Sequence, residues 1–377
     1  MGDIGIWLVG GRGSVATTAM VGAAALGAGA ATAQGMVTAT PGFPADHLPD
    51  VDRFVFGGQD VGELPLVKQA ERLAGAGVLP SVLPGVVVDR LIEIEARIHR
   101  CAAPGEVPPR TAIEAMVRDL ERFRREHALA QLIVINLAST EAPPAWTIPP
   151  VDDDALEVAL DDWSSCPPSL VATLAALHAG AAYVDFTPGA ALTAPAVLAR
   201  ARATGLPVAG RDGKTGETLL KSVLAPMFAH RNLTVRSWSG TNLLGGGDGA
   251  RLADPEHAAS KLASKGRTVA NLLGEDVHQT VHIDCVPDLG EWKTAWNHIS
   301  FAGFLGTAMS LQLTWQGCDS TLAAPLVLDL ARLTSLALSR GESGALTPLA
   351  YFFKDPVGSD DHAFATQLLA LERWAAA

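Results

Sequence analysis

The start of the chain imposes the strongest constraint on its fold, because an apolar run leads directly into a glycine-rich turn. The run Ile4 to Val9 predicts a buried strand, and an Ala-rich helical stretch follows the turn. Between them the pattern GxGxxA is formed by Gly11, Arg12, Gly13, Ser14, Val15 and Ala16. Such glycines let the backbone approach a pyrophosphate, which the N–H groups at a helix start can bind. This βα opening predicts a dinucleotide site; the alternative is a turn that serves packing only.

The acidic residue that binds the ribose in such sites usually follows the glycines by about 20 positions. Here that stretch reads Gly29-Ala30-Ala31-Thr32, which contains no acid. The nearest candidate is Asp60, just after the strand-like run Arg53 to Phe56. If Asp60 contacts the ribose, the first crossover connection of the fold is enlarged.

Strand-like and helical patterns alternate as far as residue 210. Apolar runs at 131–135, 182–186 and 207–210 predict buried parallel strands, and helices are indicated around 113–125, 170–178 and 195–203. Beyond residue 213 helices (217–230 and 255–273) are mixed with β-like runs (280–286 and 311–315), and a long apolar helix spans 320–338. We therefore predict an α/β fold: a Rossmann-like doubly wound parallel sheet (1–210), an inserted α+β catalytic and oligomerisation domain (211–317) and a C-terminal segment (318–377) that returns to the first domain.

Charge and composition exclude several classes of protein. With 28 Lys and Arg against 40 Asp and Glu, the net charge of −12 argues against nucleic-acid binding. The stretch Ser14 to Thr40 lacks the Leu, Ile and Phe density of a membrane span, and no basic segment precedes it. Four widely spaced cysteines indicate reduced thiols, and no HExxH or similar spacing predicts a metal site. These features predict a cytoplasmic protein.

Lysine is the most informative residue type in the chain. Only seven of the 28 cationic residues are Lys, and six of those follow residue 213: Lys214, Lys221, Lys261, Lys265, Lys293 and Lys354. A lysine differs from arginine in that burial lowers its pKa into a range useful for proton transfer. Lys261 and Lys265 would share a helix face, which favours an anion between them or, alternatively, a solvated basic stripe. Each lysine taken alone is more often a surface residue.

Two glycine-rich loops carry further polar residues. One contains Asp212, Lys214, Thr215 and Gly216; the other runs from Asn242 through Gly246 and Gly247 to Asp248. Loops of this composition that lead into helices suit sugar hydroxyls and phosphate.

In its ordered motifs the sequence resembles the myo-inositol-1-phosphate synthase (inositol-3-phosphate synthase) family. The shared motifs follow one another in this order: residues 212–218 with 221–224, the loop 242–249, residues 260–265, residues 286–290 with Lys293, and residues 318–325. The resemblance extends from the glycine turn nearly to the C-terminus. It implies a homotetrameric enzyme with bound NAD that cyclises a hexose phosphate, most simply glucose 6-phosphate to myo-inositol phosphate.

The same resemblance assigns roles to residues. Lys261 would move the C5 hydroxyl proton, Lys265 and Lys293 would hold phosphate and stabilise an enolate, and Lys354 would polarise the carbonyl that is attacked. Asp212 and Asp248 would orient lysines or hydroxyls. The contacts to NAD would come from Gly11, Gly13, Asp60, Ser139 and Asp319.

One motif departs from the family pattern. Relatives commonly read Asn-His-Leu-Gly-Asn-Asn-Asp-Gly where this chain has Asn242-Leu243-Leu244-Gly245-Gly246-Gly247-Asp248-Gly249. The loss of two amides and an imidazole makes room near the sugar and suggests a different hexose phosphate. Fructose 6-phosphate, closed through its C2 ketone, would give a five-membered carbocycle. Two further alternatives are a non-catalytic NAD sensor and an ordinary NAD dehydrogenase.

Overall fold

A computed structural model of the chain describes residues 2–245, 269, 272–274 and 276–377. These residues contain two sheets, one of seven strands and one of four. The strands, in chain order, are β1 (Ile4–Val9), β2 (Phe54–Asp60), β3 (Ile98–Arg100), β4 (Gln131–Asn136), β5 (Ala182–Asp185), β6 (Pro207–Gly210), β7 (Thr234–Leu244), β8 (His278–Cys285), β9 (Trp292–Ala302), β10 (Ala308–Cys318) and β11 (Gly344–Ala345).

The helices connect these strands and cover the sheets. Numbered among the described residues, they are α1 (Ser14–Gly27), α2 (Leu66–Gly75), α3 (Leu83–Val86), α4 (Val88–Glu95), α5 (Pro109–Glu126), α6 (Asp153–Ala159), α7 (Pro168–His178), α8 (Pro195–Ala203), α9 (Gly216–His230), α10 (Asp319–Ser339) and α11 (Phe364–Ala376).

The seven-stranded sheet is entirely parallel, in the order β11-β6-β5-β4-β1-β2-β3. Strands β1 to β6 thus have the doubly wound order 3-2-1-4-5-6, which places a ligand crevice at the carboxyl ends of β1 and β4. Helices lie on both faces, and the apolar side chains form one core on each face. The predicted Rossmann-like parallel sheet is confirmed.

Glycines in β2 allow it to lie close against β1. A Cβ atom at Gly58 would lie 2.4 Å from the carbonyl oxygen of Leu8, and one at Gly57 would meet the rings of Phe123 and Trp7. Since β1 pairs with both β2 and β4, this close contact sets the position of β1 at the crevice, where the glycine turn follows it.

The four-stranded sheet has the order β10-β9-β7-β8, with only the β7/β8 pair parallel. One face packs against α9, where Phe228 contacts Trp238 and Ile299 in a small apolar core. This packing holds the end of β7 beside the start of α9. The sequence reading located β8, β10 and α9 but missed β7, β9 and the C-terminal helix α11. The helix predicted for 255–273 lies largely outside the described residues.

Helix α10 returns to the first domain and packs against α1. It is long and apolar enough to cross a membrane by length and composition, but it is mostly buried inside this fold. Its apolar residues therefore serve the core of the parallel sheet, as a helix of a doubly wound fold requires.

A buried carboxylate on α10 holds the long crossover between α1 and β2. Asp329 accepts hydrogen bonds from the backbone N–H groups of Val37 and Thr38, at 2.7 and 3.0 Å. Arg332, one turn later, donates to the carbonyl of Pro49 at 2.9 Å. Burial raises the pKa of Asp329 to about 6, against the lowering effect of its hydrogen bonds. The enlarged crossover is thus tied down by groups from the C-terminal segment.

We expect Asp329→Ala to lower the free energy of unfolding by about 3 kcal/mol, because two buried amides lose a charged acceptor. Urea denaturation followed by circular dichroism measures the change. Asp154→Ala, which removes an exposed carboxylate, is the control and should leave the midpoint where it is. Equal midpoints for both variants would contradict the anchoring role.

Candidate active site

The glycine turn after β1 has the geometry of a phosphate-binding turn. Gly10 has a φ of +80°, and a Cβ atom there would lie 2.9 Å from the backbone of Ala138. Gly13 caps α1 without a side-chain hydrogen bond, so the first amides of α1 point outward without a side-chain partner at the cap. The predicted motif begins at Gly11, and Gly10, although part of the same glycine turn, was not predicted as a site residue.

A cleft of about 920 Å³ opens beside this turn and runs towards α5 and α7. Asp60 lies on its wall, and its carboxylate accepts from the N–H groups of Arg12, at 2.8 Å, and Gly62, at 2.7 Å. The Arg12 guanidinium pairs with Glu95. Ser139 also lines the cleft. The position of Asp60 at the end of β2 is the one a ribose-binding acid takes.

A second cavity of about 510 Å³ lies where the two sheets meet. It shares Gly13 and the segment 137–140 with the cleft, so the two spaces adjoin at the glycine turn. Its other walls come from the start of α9, the end of β7, the start of β9, and the start of α10. Ser14 and Val15 face this cavity, which places it directly in front of α1.

Lys354 enters the cavity held by Asp212. The ammonium donates to Asp212 Oδ1 at 2.8 Å, and the Lys354 backbone N–H donates to the Asp212 carbonyl at 2.7 Å. Asp212 has a φ of +61°, a left-handed conformation that Asp tolerates better than most residues. Both side chains are largely shielded from solvent. The two predicted catalytic residues are therefore one unit, although 142 positions separate them in the chain.

A second ammonium–carboxylate pair lies across the cavity, where Lys293 meets Asp319. Thr215 donates to Asp319 Oδ1 at 3.2 Å. A Cβ atom on Gly216 would lie 3.2 Å from Lys293 Nζ, so the glycine lets the start of α9 approach the ammonium closely. Asp319 was expected to contact NAD; in the structure it pairs with Lys293 and accepts from Thr215 on the wall of the lysine cavity.

The inner wall of the cavity is polar and buried. Asn242 is 3% exposed, and its Nδ2 has no hydrogen-bond partner among the described residues. Next to it Glu217 pairs with Lys221 at 3.1 Å, with both side chains buried. A buried amide donor directed at a cavity is suited to a ligand oxygen.

The structure changes the interpretation of position 243. Asn242 and Leu244 line the cavity, and alternation along β7 places Leu243 on the opposite face of the sheet. The expectation that replacing the family's histidine here makes room near the sugar is therefore wrong.

Lys214 does not line the cavity, contrary to its expected role in binding substrate. Its ammonium donates to Gln367 of α11 and lies 5.7 Å from the centre of the Tyr351 ring. The backbone of the loop fixes this direction, because the Lys214 N–H donates to the Phe352 carbonyl at 2.7 Å.

Five predicted residues lie outside the described part of the chain, and their placement stays a prediction: Lys261, Lys265, Asp248, Gly246 and Gly247. Of the others, the structure brings Lys293, Lys354, Asp212, Asp319, Thr215, Asn242 and Ser139 to the cavity wall. Within the described ranges, no group of three His, Cys, Asp or Glu side chains is placed to hold a metal ion.

A contact between α2 and the start of β9 closes one rim of the cavity and was not predicted. Arg72 of α2 pairs with Glu291 at 3.1 Å, and the indole of Trp292 donates to the Ala76 carbonyl at 3.1 Å. Trp292 directly precedes Lys293, so these contacts hold the lysine over the cavity. An exposed arginine on an amphipathic helix gives no signal of such a role in sequence.

Comparisons with known proteins find relatives of the chain. Residues 216–320 match the family model described as myo-inositol-1-phosphate synthase. Over 401 aligned residues the chain is 30% identical to inositol-3-phosphate synthase 1 of Bacteroides thetaiotaomicron, covering 96% of this chain and 91% of the relative.

Two solved structures share the fold. One is inositol-3-phosphate synthase of Caenorhabditis elegans, with a TM-score of 0.86 and 23% identity over 99% of this chain and 85% of that chain. The other is a myo-inositol-1-phosphate synthase-related protein of Thermotoga maritima, with a TM-score of 0.79 and 22% identity over 99% and 98%.

We expect Asp60→Ala to weaken NAD binding about tenfold, or about 1.4 kcal/mol, because it removes the carboxylate that holds two turn amides at the position expected for a ribose acceptor. Titration calorimetry measures the dissociation constant without any turnover. Glu63→Ala removes an exposed acid of the same loop and should bind NAD as the wild type does. Unchanged binding by Asp60→Ala would exclude this role.

Proposed function

Since the chain belongs to the myo-inositol-1-phosphate synthase family, we propose that this enzyme cyclises glucose 6-phosphate to myo-inositol 1(3)-phosphate with the help of bound NAD. The observation that carries the proposal is the convergence of two carboxylate-paired lysines, Lys293 and Lys354, on a cavity beside the glycine turn. Lysines from such distant positions gather in one cavity when a single small substrate must be held and polarised.

The cleft fits NAD. The positive φ of Gly10, the uncapped start of α1 and the Asp60 carboxylate supply a close backbone approach, anion-binding amides and a ribose acceptor. Ser139 lines both spaces and would lie near the nicotinamide end. When bound, NAD supplies reversible oxidation at C5 of the sugar and is returned unchanged. The four described cysteines are free, which is compatible with a cytoplasmic enzyme.

The second cavity fits one phosphorylated hexose. Its volume of about 510 Å³ is within the usual range for small-molecule sites. Lys293 and the start of α9, whose Thr215 cap makes no side-chain hydrogen bond to the helix, form a cationic corner for the phosphate. The buried Asn242 amide would donate to a sugar oxygen.

The two lysines have separate roles in the ring closure. A proton passes from C6 of the C5 ketone to an oxygen of the substrate's own phosphate dianion. This leaves an enolate, whose charge Lys293 would stabilise. C6 then forms a bond to the C1 aldehyde carbon, and the electron pair of the C=O bond passes to oxygen. Lys354 would polarise this carbonyl and protonate the alkoxide, with Asp212 keeping its ammonium aligned. By similarity, Lys261 and Lys265 would complete the set.

A second candidate is the cyclisation of fructose 6-phosphate to a cyclopentane phosphate. The observation in its favour is the pair Gly246-Gly247 where relatives carry two asparagines. A site with fewer amides discriminates less between a C1 aldehyde and a C2 ketone.

We also propose a homotetramer. The face of the four-stranded sheet opposite α9 carries Ser239, Thr241, His298 and Gln312 around Trp296, whose side chain is half exposed. A broad, mostly uncharged β-face of this kind suits contact with a second copy. Sedimentation equilibrium measures the number of subunits.

Incubation with glucose 6-phosphate and NAD is expected to give a six-membered inositol phosphate, identified by NMR, with no net rise of nicotinamide absorbance because the cofactor is regenerated. A parallel incubation with fructose 6-phosphate tests the second candidate, whose product would be a five-membered ring. Net NADH formation would indicate a dehydrogenase instead, and turnover of neither sugar would refute both cyclisations.

Lys354→Met and Lys293→Met are each expected to lower kcat by about 10²-fold to 10³-fold, because each removes a preorganised cation from developing negative charge. Steady-state assays with glucose 6-phosphate provide the measurement. Lys68→Met, which changes an exposed lysine of α2, is the matched control and should keep the wild-type rate. A non-catalytic sensor would show no activity in any of the four proteins.

A further inference from the structure

Lys214 lies outside the cavity, in the loop that carries Asp212 of the Asp212–Lys354 pair. Lys214 is 6% exposed, and burial lowers its pKa to about 7, with Asp361 acting in the opposite direction. Burying an amine costs free energy that a methionine in the same place would not cost. The hydrogen-bond partner of the Lys214 amine must therefore offset this cost.

The partner of that amine is the C-terminal helix. Lys214 Nζ donates to Gln367 Oε1, and the amide of Gln367, itself 3% exposed, donates to the Asp361 carbonyl at 2.6 Å. The ring of Tyr351 covers the ammonium from the other side. Gln367 is thus fixed at both ends of its amide, and it offers Lys214 one defined acceptor.

The loop that carries Lys214 also carries two residues of the cavity. Asp212, two positions before it, holds Lys354; Thr215, one position after it, bonds to Asp319. The backbone of this loop pairs with residues 352–355, including Lys214 N–H to the Phe352 carbonyl at 2.7 Å. A Cβ atom on Gly213 would meet the Phe186 ring at 2.3 Å, so the loop has little freedom on that side. A displacement of Lys214 would move both neighbours.

We propose that Lys214 is a positioning residue, which through Gln367 ties the loop 212–215 to α11 and thereby aligns Lys354 and Asp319 in the cavity. Only the kinetic consequence of this inference rests on the proposed function. It makes the C-terminal helix, which contributes no residue to the cavity lining, a part of the support of the active site.

The kinetic test compares Lys214→Met with Gln367→Leu. Each variant is expected to lower kcat about 30-fold, since a small displacement of catalytic groups is costly, while the KM for the sugar phosphate changes less than about threefold. Gln367→Glu keeps an acceptor oxygen opposite the amine and is expected to retain most of the rate. Gln131→Leu removes a glutamine that bonds to Ser335 far from the cavity, and serves as the matched control.

A measurement without turnover separates this inference from the proposed function. The rate at which an amine-reactive reagent modifies Lys354 in the NAD-loaded enzyme is followed by peptide mass spectrometry. Release from Asp212 frees the amine from its charge-assisted hydrogen bond, so labelling should accelerate about fivefold in Lys214→Met and Gln367→Leu. Unchanged labelling together with wild-type kcat overturns the inference; altered labelling in an enzyme that turns over neither sugar supports it and refutes the proposed function. If Lys214→Met does not fold, the labelling rate and kcat of Gln367→Leu test the inference.

Discussion

The two carboxylate–ammonium pairs are the interactions on which the site depends. Lysines shielded from water in one small cavity repel each other and lose hydration, so each needs a counter-charge at hydrogen-bond distance. Asp212 and Asp319 supply it, and they lie at the two points where the chain passes between the sheets: after β6 and at the start of α10. Asp212 and Asp319 therefore lie where the chain connects the two sheets, and they also neutralise the two lysines.

This arrangement also explains why the fold must be rigid around the cavity. In the proposed cyclisation, a pair of charges stabilises an enolate most when it does not reorganise during the reaction. The structure restrains both pairs from outside: Trp292 and Arg72 hold the segment before Lys293, while residues 352–355 hold Asp212 by backbone hydrogen bonds. Each restraint joins elements that are far apart in sequence, so the shape of the cavity depends on tertiary contacts rather than on any one segment.

Sequence reasoning predicted the parallel sheet well because its strands are buried on both faces and read as continuous apolar runs, as β4 does with Leu132 to Ile135. It missed β7 and β9, whose outward faces carry Ser, Thr and His, so the apolar signal is diluted. It placed Asp212 and Lys354 in the site through family resemblance. The direction of Lys214 depends on a hydrogen bond to Gln367, 153 positions later, which no local pattern contains. Strand alternation, by contrast, would have separated Leu243 from Asn242 once β7 was recognised.

The scarcity of lysine in the sequence acquires a physical meaning in the structure. Of the five lysines that the structure describes, only Lys68 is exposed to solvent; Lys214, Lys221, Lys293 and Lys354 are shielded, each beside a carboxylate or amide oxygen. Arginine would bring a longer, planar group that stays protonated under all ordinary conditions. A compact amine fits beside Gly216 or under the Tyr351 ring, and burial lowers the pKa of Lys214 to about 7. Where most cationic residues are arginine, a lysine thus marks a position at which the size of the cation is constrained.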